Sequence, residues 1–338
     1  MVKTISACLI TKNEEIHLER CLSSVYGHVD EIVVVDTGSN DRTVEIAQGF
    51  GAKVFSVSWK DDFALARNAA LDLASSEWIL SIDADEWVEV NWDALDFALR
   101  YPRGTQAYLI DIEVKSATSF GGDYSFRAPR LFTRTELRWF NRVHEKVLTP
   151  DGFEPVVSFL ESSIMKIIDV GYQNEDDCLV KGERNYTLAL RDLLDHQEFS
   201  FDQNLLAQKA FEVGRSLVTL GRREESCEYF EQARGTARDP QLWMCATDFL
   251  ARQYLALGRF RYCISLAISL RQRGGEERYC NWLCAQALAQ AGQPHDALDF
   301  LEGVDQVIDP SGCEFDRARV VEFRSLCLAL SELEESTG

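Results

Sequence analysis

The sequence predicts an α/β protein: a doubly wound mixed sheet, its first strands parallel and extended by further strands, followed by an all-helical half. Three observations carry this. Over roughly the first 100 residues, short runs rich in valine and isoleucine alternate with helical patterns. From residue 105 to 168 the pattern turns β-rich, with turns between apolar segments. From about residue 176 onward the chain is almost wholly helical, and it repeats.

In chain order, ISACLI (5–10), EIVVVD (31–36), KVFSVSW (53–59) and EWILSID (77–83) read as strands. They are near-continuously apolar, as parallel strands covered on both faces should be. Helical patterns at about 14–26, 41–50 and 63–74 separate them, at the spacing of a doubly wound sheet. QAYLIDIEVK (106–115), APRLFT (128–133) and SSIMKIID (162–169) predict an antiparallel extension. In the helical half, three segments align on Gly221, Gly258 and Gly292, 37 and 34 residues apart. The period of tetratricopeptide repeats is about 34. Small or aromatic residues fall at matching places: Gly214, Phe230 and Ala233, then Tyr254, then Ala285 and Ala297. A helix hairpin of this kind cannot bury its apolar face alone, so the units stack. These readings divide the chain into 1–175 and 176–338.

Composition narrows the function. The 338 residues carry a formal charge of −20. Nucleic acid and anionic lipid both need a basic footprint, so neither is an expected partner. A polyphosphate ligand needs a metal ion or a few placed arginines. The ten cysteines include no C-x-x-C pair, as expected of reduced, structural thiols in the cytoplasm. No signal-peptide pattern precedes the first strand, and no apolar run approaches the ~18 residues of a membrane span.

In open α/β sheets, ligands bind beyond the carboxyl ends of the strands. Three strands here end in polar clusters: Thr11-Lys12-Asn13-Glu14, Asp36 with a Gly-Ser-Asn turn, and Asp83-Ala84-Asp85. Asp36 and Asp83 are both expected at the last strand position. Asp83 and Asp85 are two apart, so in an extended segment they point the same way. Two such carboxylates resist joint ionisation unless a cation compensates them. Mg²⁺ or Mn²⁺ does so and keeps positions open for phosphate oxygens. A carboxylate also suits the hydroxyls of a ribose. Neither G-x-G-x-x-G nor a P-loop motif occurs. The expected site is one for metal, diphosphate and nucleoside. Arg67 offers a rigid donor fork to a phosphate or base; the alternative is an internal pair with Asp62.

ISACLITKNEEIHLERCLSSV, VDEIVVVDTGSNDRTVEIA, WKDDFALARNAALDLASSEWILSIDADEW and RVHEKV together resemble family 2 glycosyltransferases of the GT-A fold. More closely, they are similar to the bacterial subgroup with tetratricopeptide repeats that includes the peptide S-glycosyltransferases of glycocin biosynthesis. The resemblance covers about residues 4 to 190. It implies an inverting transfer from a nucleotide-sugar donor, usually a UDP-sugar, with Mn²⁺ or Mg²⁺ at Asp83-Ala84-Asp85. On this resemblance Asp85 holds the metal, and Asp83 contacts ribose, or the metal through water. Asp36, with Thr11, Asn13 and Glu14 nearby, accepts from the nucleobase or ribose, and Asp62 and Arg67 belong to the donor site. Glu145 is the base and His144 orients it or touches phosphate, with Asp111, Glu113 and Asp123 as substitutes for the base. One departure stands out. Where the subgroup writes H-x-G-Y, this chain has DVGY, so Asp169 either serves as a harder ligand favouring Mg²⁺ or leaves the metal to lean on the donor's phosphates.

Stacked repeats present concave surfaces, which favour a protein or peptide acceptor. A glycan or lipid-linked acceptor is the enzymatic alternative, and a decayed scaffold or sugar-nucleotide sensor is the non-enzymatic one. The repeats are also a possible homo-oligomer interface.

Overall fold

The structure is a computed structural model and describes residues 4–115, 124–171, 175–315 and 317–337. The chain forms two compact units, Met1–Glu175 and Asp176–Gly338.

The first unit begins with four parallel strands, β1 (Ile5–Thr11), β2 (Glu31–Asp36), β3 (Lys53–Ser56) and β4 (Trp78–Ser81). They are joined by α1 (Leu18–Ser23), α2 (Thr43–Gly49) and α3 (Phe63–Leu73). Then follow β5 (Glu86–Val90), α4 (Trp92–Arg100), β6 (Ala107–Val114), β7 (Tyr124–Thr133), β8 (Arg138–Phe140) and β9 (Lys146–Leu148). The unit closes with β10 (Val157–Phe159) and β11 (Met165–Asp169). The main sheet runs β3-β2-β1-β4-β7-β6-β11-β5, with β10 also on β6, while β8 and β9 form a separate hairpin.

Alternate residues of one strand belong to two apolar clusters: Ala7, Leu9 and Leu80 to one, Cys8 and Ile79 to the other. The sheet is therefore covered on both faces, which is why β1, β2 and β4 read as continuous apolar runs. Three expectations are corrected. β3 stops at Ser56 rather than Trp59 because it is an edge strand with a largely exposed Lys53–Ser56 segment. β4 stops at Ser81, so Asp83 lies two residues beyond its end while Asp36 is the last residue of β2. The extension is mixed rather than antiparallel. β7 pairs antiparallel with β4 and β6, but β11 returns parallel to β6 and antiparallel to β5.

The second unit contains α5 (Glu175–Phe199), α6 (Gln203–Thr219), α7 (Arg223–Thr236), α8 (Pro240–Ala256), α9 (Phe260–Gln272), α10 (Glu277–Gln290), α11 (Pro294–Leu301) and α12 (Arg317–Thr337). The turns of α6/α7, α8/α9 and α10/α11 are alike. Gly221, Gly258 and Gly292 have φ of 69°, 69° and 78°. The next N–H reaches back five residues in each turn, Arg222 to Leu217 at 3.0 Å, Arg259 to Tyr254 at 2.8 Å and Gln293 to Leu288 at 2.9 Å. This is the Schellman closure, which needs a residue at ease in the left-handed region. Inside α6, a Cβ on Gly214 would crowd the Phe230 ring at 2.5 Å. Phe230, Ala233, Ala285 and Ala297 are fully buried, whereas Tyr254 is half-buried and donates its hydroxyl to Glu231 at 3.2 Å. No described helix is long and apolar enough to cross a membrane.

Candidate active site

The carboxyl ends of β1 and β2 lie side by side, with Thr11 in register with Asp36. Thr11 Oγ1 donates to Asp36 at 3.4 Å. The buried Asp36 carboxylate also accepts the Gly38 N–H at 3.1 Å, the Ser39 N–H at 3.0 Å and the Ser39 hydroxyl at 2.5 Å. It therefore shapes its own loop as an Asx turn, and α2 instead receives Asp41, which accepts the Thr43 N–H at 3.0 Å. Asn13, left-handed at φ 58°, donates its N–H to Ser39 Oγ and accepts the Asn40 N–H, both at 2.8 Å. The Glu14 N–H reaches Thr43 Oγ1 at 2.7 Å. Thr11, Asn13, Glu14 and Asp36 thus form one laced ledge at the carboxyl ends of β1 and β2.

Beyond β4, Asp83-Ala84-Asp85 is a turn, with the Glu86 N–H on the Asp83 carbonyl at 3.0 Å. The expectation of an extended segment with both acids on one side does not hold. Asp83 faces two arginines: Arg67 Nη2 at 2.9 Å on Oδ1, and Arg130 Nη2 at 3.3 Å on Oδ2. Burial works to raise the Asp83 carboxyl, but these guanidiniums hold it well below the usual carboxylate range. Arg130 also reaches Glu86 Oε1 at 2.8 Å, while Glu86 Oε2 accepts the Asp83 N–H at 2.8 Å. Burial pushes Glu86 up to about 8, against Arg130 and with the help of Asp83.

Arg67 continues the bridge, its Nε lying 3.1 Å from Glu145 Oε1 and its guanidinium 5.0 Å above the Trp139 ring. The alternative pair with Asp62 is not formed, because Asp62 caps its own helix by accepting the Leu65 N–H at 2.9 Å. The rest of that motif fastens the His144-Glu145 loop. Asn68 both donates to the Trp139 carbonyl at 2.8 Å and accepts its N–H at 3.0 Å, and the Phe63 N–H reaches the Arg142 carbonyl at 2.9 Å. Asn141 and His144 are left-handed at φ 72° and 53°. Such backbone costs roughly 1–2 kcal/mol at a non-glycine residue and persists only where contacts over-determine it.

Asp85 turns the other way. β5 pairs with β11 so that Glu86 faces Asp169, and the Val170 N–H reaches the Asp85 carbonyl at 3.1 Å. The Gly171 N–H donates to Asp169 Oδ1 at 2.7 Å. A Cβ built on Gly171 would overlap Asp85 Oδ2 and lie 3.2 Å from Asp169 Oδ1, so both acids border one small gap. Burial raises Asp169 to about 6, the Gly171 N–H opposing and Asp85 adding to the rise. Beneath the turn, the wholly buried Cys21 thiol donates to the Asp83 carbonyl at 3.4 Å. Burial, then Glu86, Asp83, Asp85 and Glu14, push that thiol well above its ordinary range.

Among the described residues no three acid, histidine or cysteine side chains converge as a ready metal shell. Asp85 and Asp169 supply two hard oxygen donors at one gap, which is the pattern that suits Mg²⁺ when phosphate oxygens and water complete its sphere. Of the substitute bases, Asp111 is engaged by Arg127 at 2.8 Å and by the Ser162 hydroxyl, and Glu113 by Lys166 at 3.1 Å. Asp123 lies outside the described residues. Sequence reasoning missed Arg130 and gave Glu86 no role. The available signal was an arginine inside the apolar run APRLF, which demands a buried acid.

Residues 6–98 match Glycosyl transferase family 2. A TPR repeat-containing protein of Synechococcus elongatus is 40% identical over 145 residues, covering 42% of this chain and 35% of that protein. The SPbeta prophage-derived glycosyltransferase SunS of Bacillus subtilis is 28% identical over 236 residues, covering 68% of this chain and 53% of that protein. Among solved structures, S. aureus TarS 1–349 in complex with UDP covers 80% of this chain and 91% of that chain, at 14% identity and a TM-score of 0.39. The chain thus spans 35% and 53% of the lengths of these two curated relatives. The similarity to Glycosyl transferase family 2 thus lies in the first unit, over residues 6–98.

Proposed function

We propose that this chain is an inverting, metal-dependent glycosyltransferase that moves a sugar from a nucleotide donor, most often a UDP-sugar, to a protein or peptide side chain. The observation that carries this reading is the division of labour in the Asp83–Glu86 turn. Asp83 is neutralised by two arginines, while Asp85 is turned to Asp169 across a gap at the carboxyl edge of the sheet.

In this reading Asp85 and Asp169 would hold Mg²⁺ or Mn²⁺, which when bound stabilises the charge on the departing diphosphate. Asp83 keeps lone pairs for ribose hydroxyls while Arg67 and Arg130 fix its orientation. The ledge of Thr11, Asn13, Glu14 and Asp36 receives the nucleoside, and Asp62 supports it indirectly by starting α3. Glu145, fixed by Arg67, takes the proton from the acceptor nucleophile as it attacks the anomeric carbon opposite the diphosphate. His144 orients it. The acceptor assignment rests on the helical repeats, since stacked repeats of this kind form concave surfaces suited to extended peptides.

Glu145→Gln tests the base. Transfer is expected to fall by at least about 100-fold, the lower end of general-base contributions, with donor affinity unchanged by calorimetry. Near-full transfer by the variant removes Glu145 from that role.

A further inference from the structure

Most described glycines of the first unit are explained by their backbone. Gly27, Gly38, Gly51, Gly104 and Gly152 all have positive φ, and a Cβ on any of them would meet nothing within 4 Å. Gly171 is the reverse case. Its φ lies outside the left-handed region, so any residue could adopt its backbone. Alanine at such a position ordinarily stabilises a fold by restricting the unfolded chain. The missing side chain therefore has another reason, and the reason is space: a Cβ here would overlap Asp85 Oδ2, lie 3.1 Å from Asp85 Cγ and lie 3.2 Å from Asp169 Oδ1.

The surrounding backbone leaves little freedom to relieve that overlap. Asp169 pairs with Glu86 across β11 and β5, Ile168 pairs with Trp87, and the Val170 N–H is held by the Asp85 carbonyl at 3.1 Å. Asp169 Oδ1 is itself fixed by the Gly171 N–H at 2.7 Å. The overlapped atom is a terminal carboxylate oxygen of Asp85, the far end of a rotatable side chain.

We propose that Gly171 is a positioning residue for a divalent cation: its bare Cα keeps the Asp85 carboxylate beside Asp169, where the two can share one ion with a diphosphate. This rests on the metal reading of the site and adds a residue that touches neither metal nor substrate. A methyl group at 171 swings Asp85 away, so the fold survives and the cation site is lost.

The test is Mn²⁺ binding, followed through the electron paramagnetic resonance of the free ion, with UDP present as the probe for the donor's diphosphate. Wild type, Gly171→Ala, Asp85→Asn and the control Gly49→Ala, whose Cβ would meet nothing within 4 Å, are compared beside their thermal melts. The expected result is that Gly171→Ala weakens Mn²⁺ binding by about 10- to 100-fold, the usual loss when a ligand's supporting shell is disturbed. Gly49→Ala leaves it unchanged. Wild-type affinity in Gly171→Ala, with Asp85→Asn defective, overturns the role of Gly171 and spares the metal site. Absence of binding by the wild type overturns the metal reading and this inference with it. A Gly171→Ala melting temperature lowered by more than about 4 °C shows that backbone moved rather than a carboxylate, and also overturns it.

Discussion

Asp85→Asn is expected to abolish metal-dependent donor turnover, by at least about 100-fold, with little change in the melting temperature. The stabilisation a bound cation gives a leaving diphosphate is several kcal/mol, and each 1.36 kcal/mol is about tenfold in rate. Asparagine keeps the size of the side chain and leaves the backbone link from the Val170 N–H to residue 85 in place. What it removes is one of the two negative charges bordering the gap. Asp169 alone then offers a single charged ligand, too few for a cation that must also orient a diphosphate. Steady-state rates with Mg²⁺ and Mn²⁺, beside a thermal melt, check this. Asp85→Asn turning over at the wild-type rate removes Asp85 as the metal ligand.

Arg130→Leu is expected to act on stability instead. Glu86 is 2% exposed, and its side chain has the Arg130 guanidinium on one oxygen and the Asp83 N–H on the other. Deleting the arginine leaves a buried acid with one partner and leaves Asp83 to Arg67 alone. Burial already keeps Glu86 largely protonated near neutral pH, so what is lost is a hydrogen bond to a charged partner, about 1.5–3 kcal/mol. For a unit of this size that lowers the melting temperature by on the order of 5 °C. Removing both partners is far milder, so Arg130→Leu with Glu86→Leu is expected to recover much of the loss. Calorimetric melts of wild type, single and double variants decide it. A single variant that melts like the wild type shows the Arg130 bridge to be energetically idle.

How much of this was legible depended on whether the determining contact was local. EIVVVD matched β2 residue for residue because a strand buried on both faces writes its own pattern. The turn glycines Gly221, Gly258 and Gly292 were legible because the Schellman closure is a six-residue event. β5 was not, because EWVEV follows the acidic turn and becomes a strand only by pairing with β11, almost eighty residues later. The same pairing carries Asp169 to the turn. Asp83 and Asp85 were expected to point together because the strand was extended two residues too far; a turn at Ala84 sends them to different partners. Arg67 and Asp62 are five apart, a spacing that does not bring side chains together on a helix, and the helix-capping need of Asp62 won. Arg130 became readable only once β7 was known to run antiparallel beside β4, which puts the exit of β4 next to it.

The proposed function depends above all on the acidic turn being a working cation–diphosphate site. The most direct measurement is slow donor hydrolysis without acceptor, across UDP-, GDP- and dTDP-sugars, each with Mg²⁺, with Mn²⁺ and with chelator. One donor, a UDP-sugar, is expected to be hydrolysed with either metal and not to be hydrolysed with chelator. Hydrolysis that continues unchanged in chelator, or no turnover of any donor, would contradict the proposal.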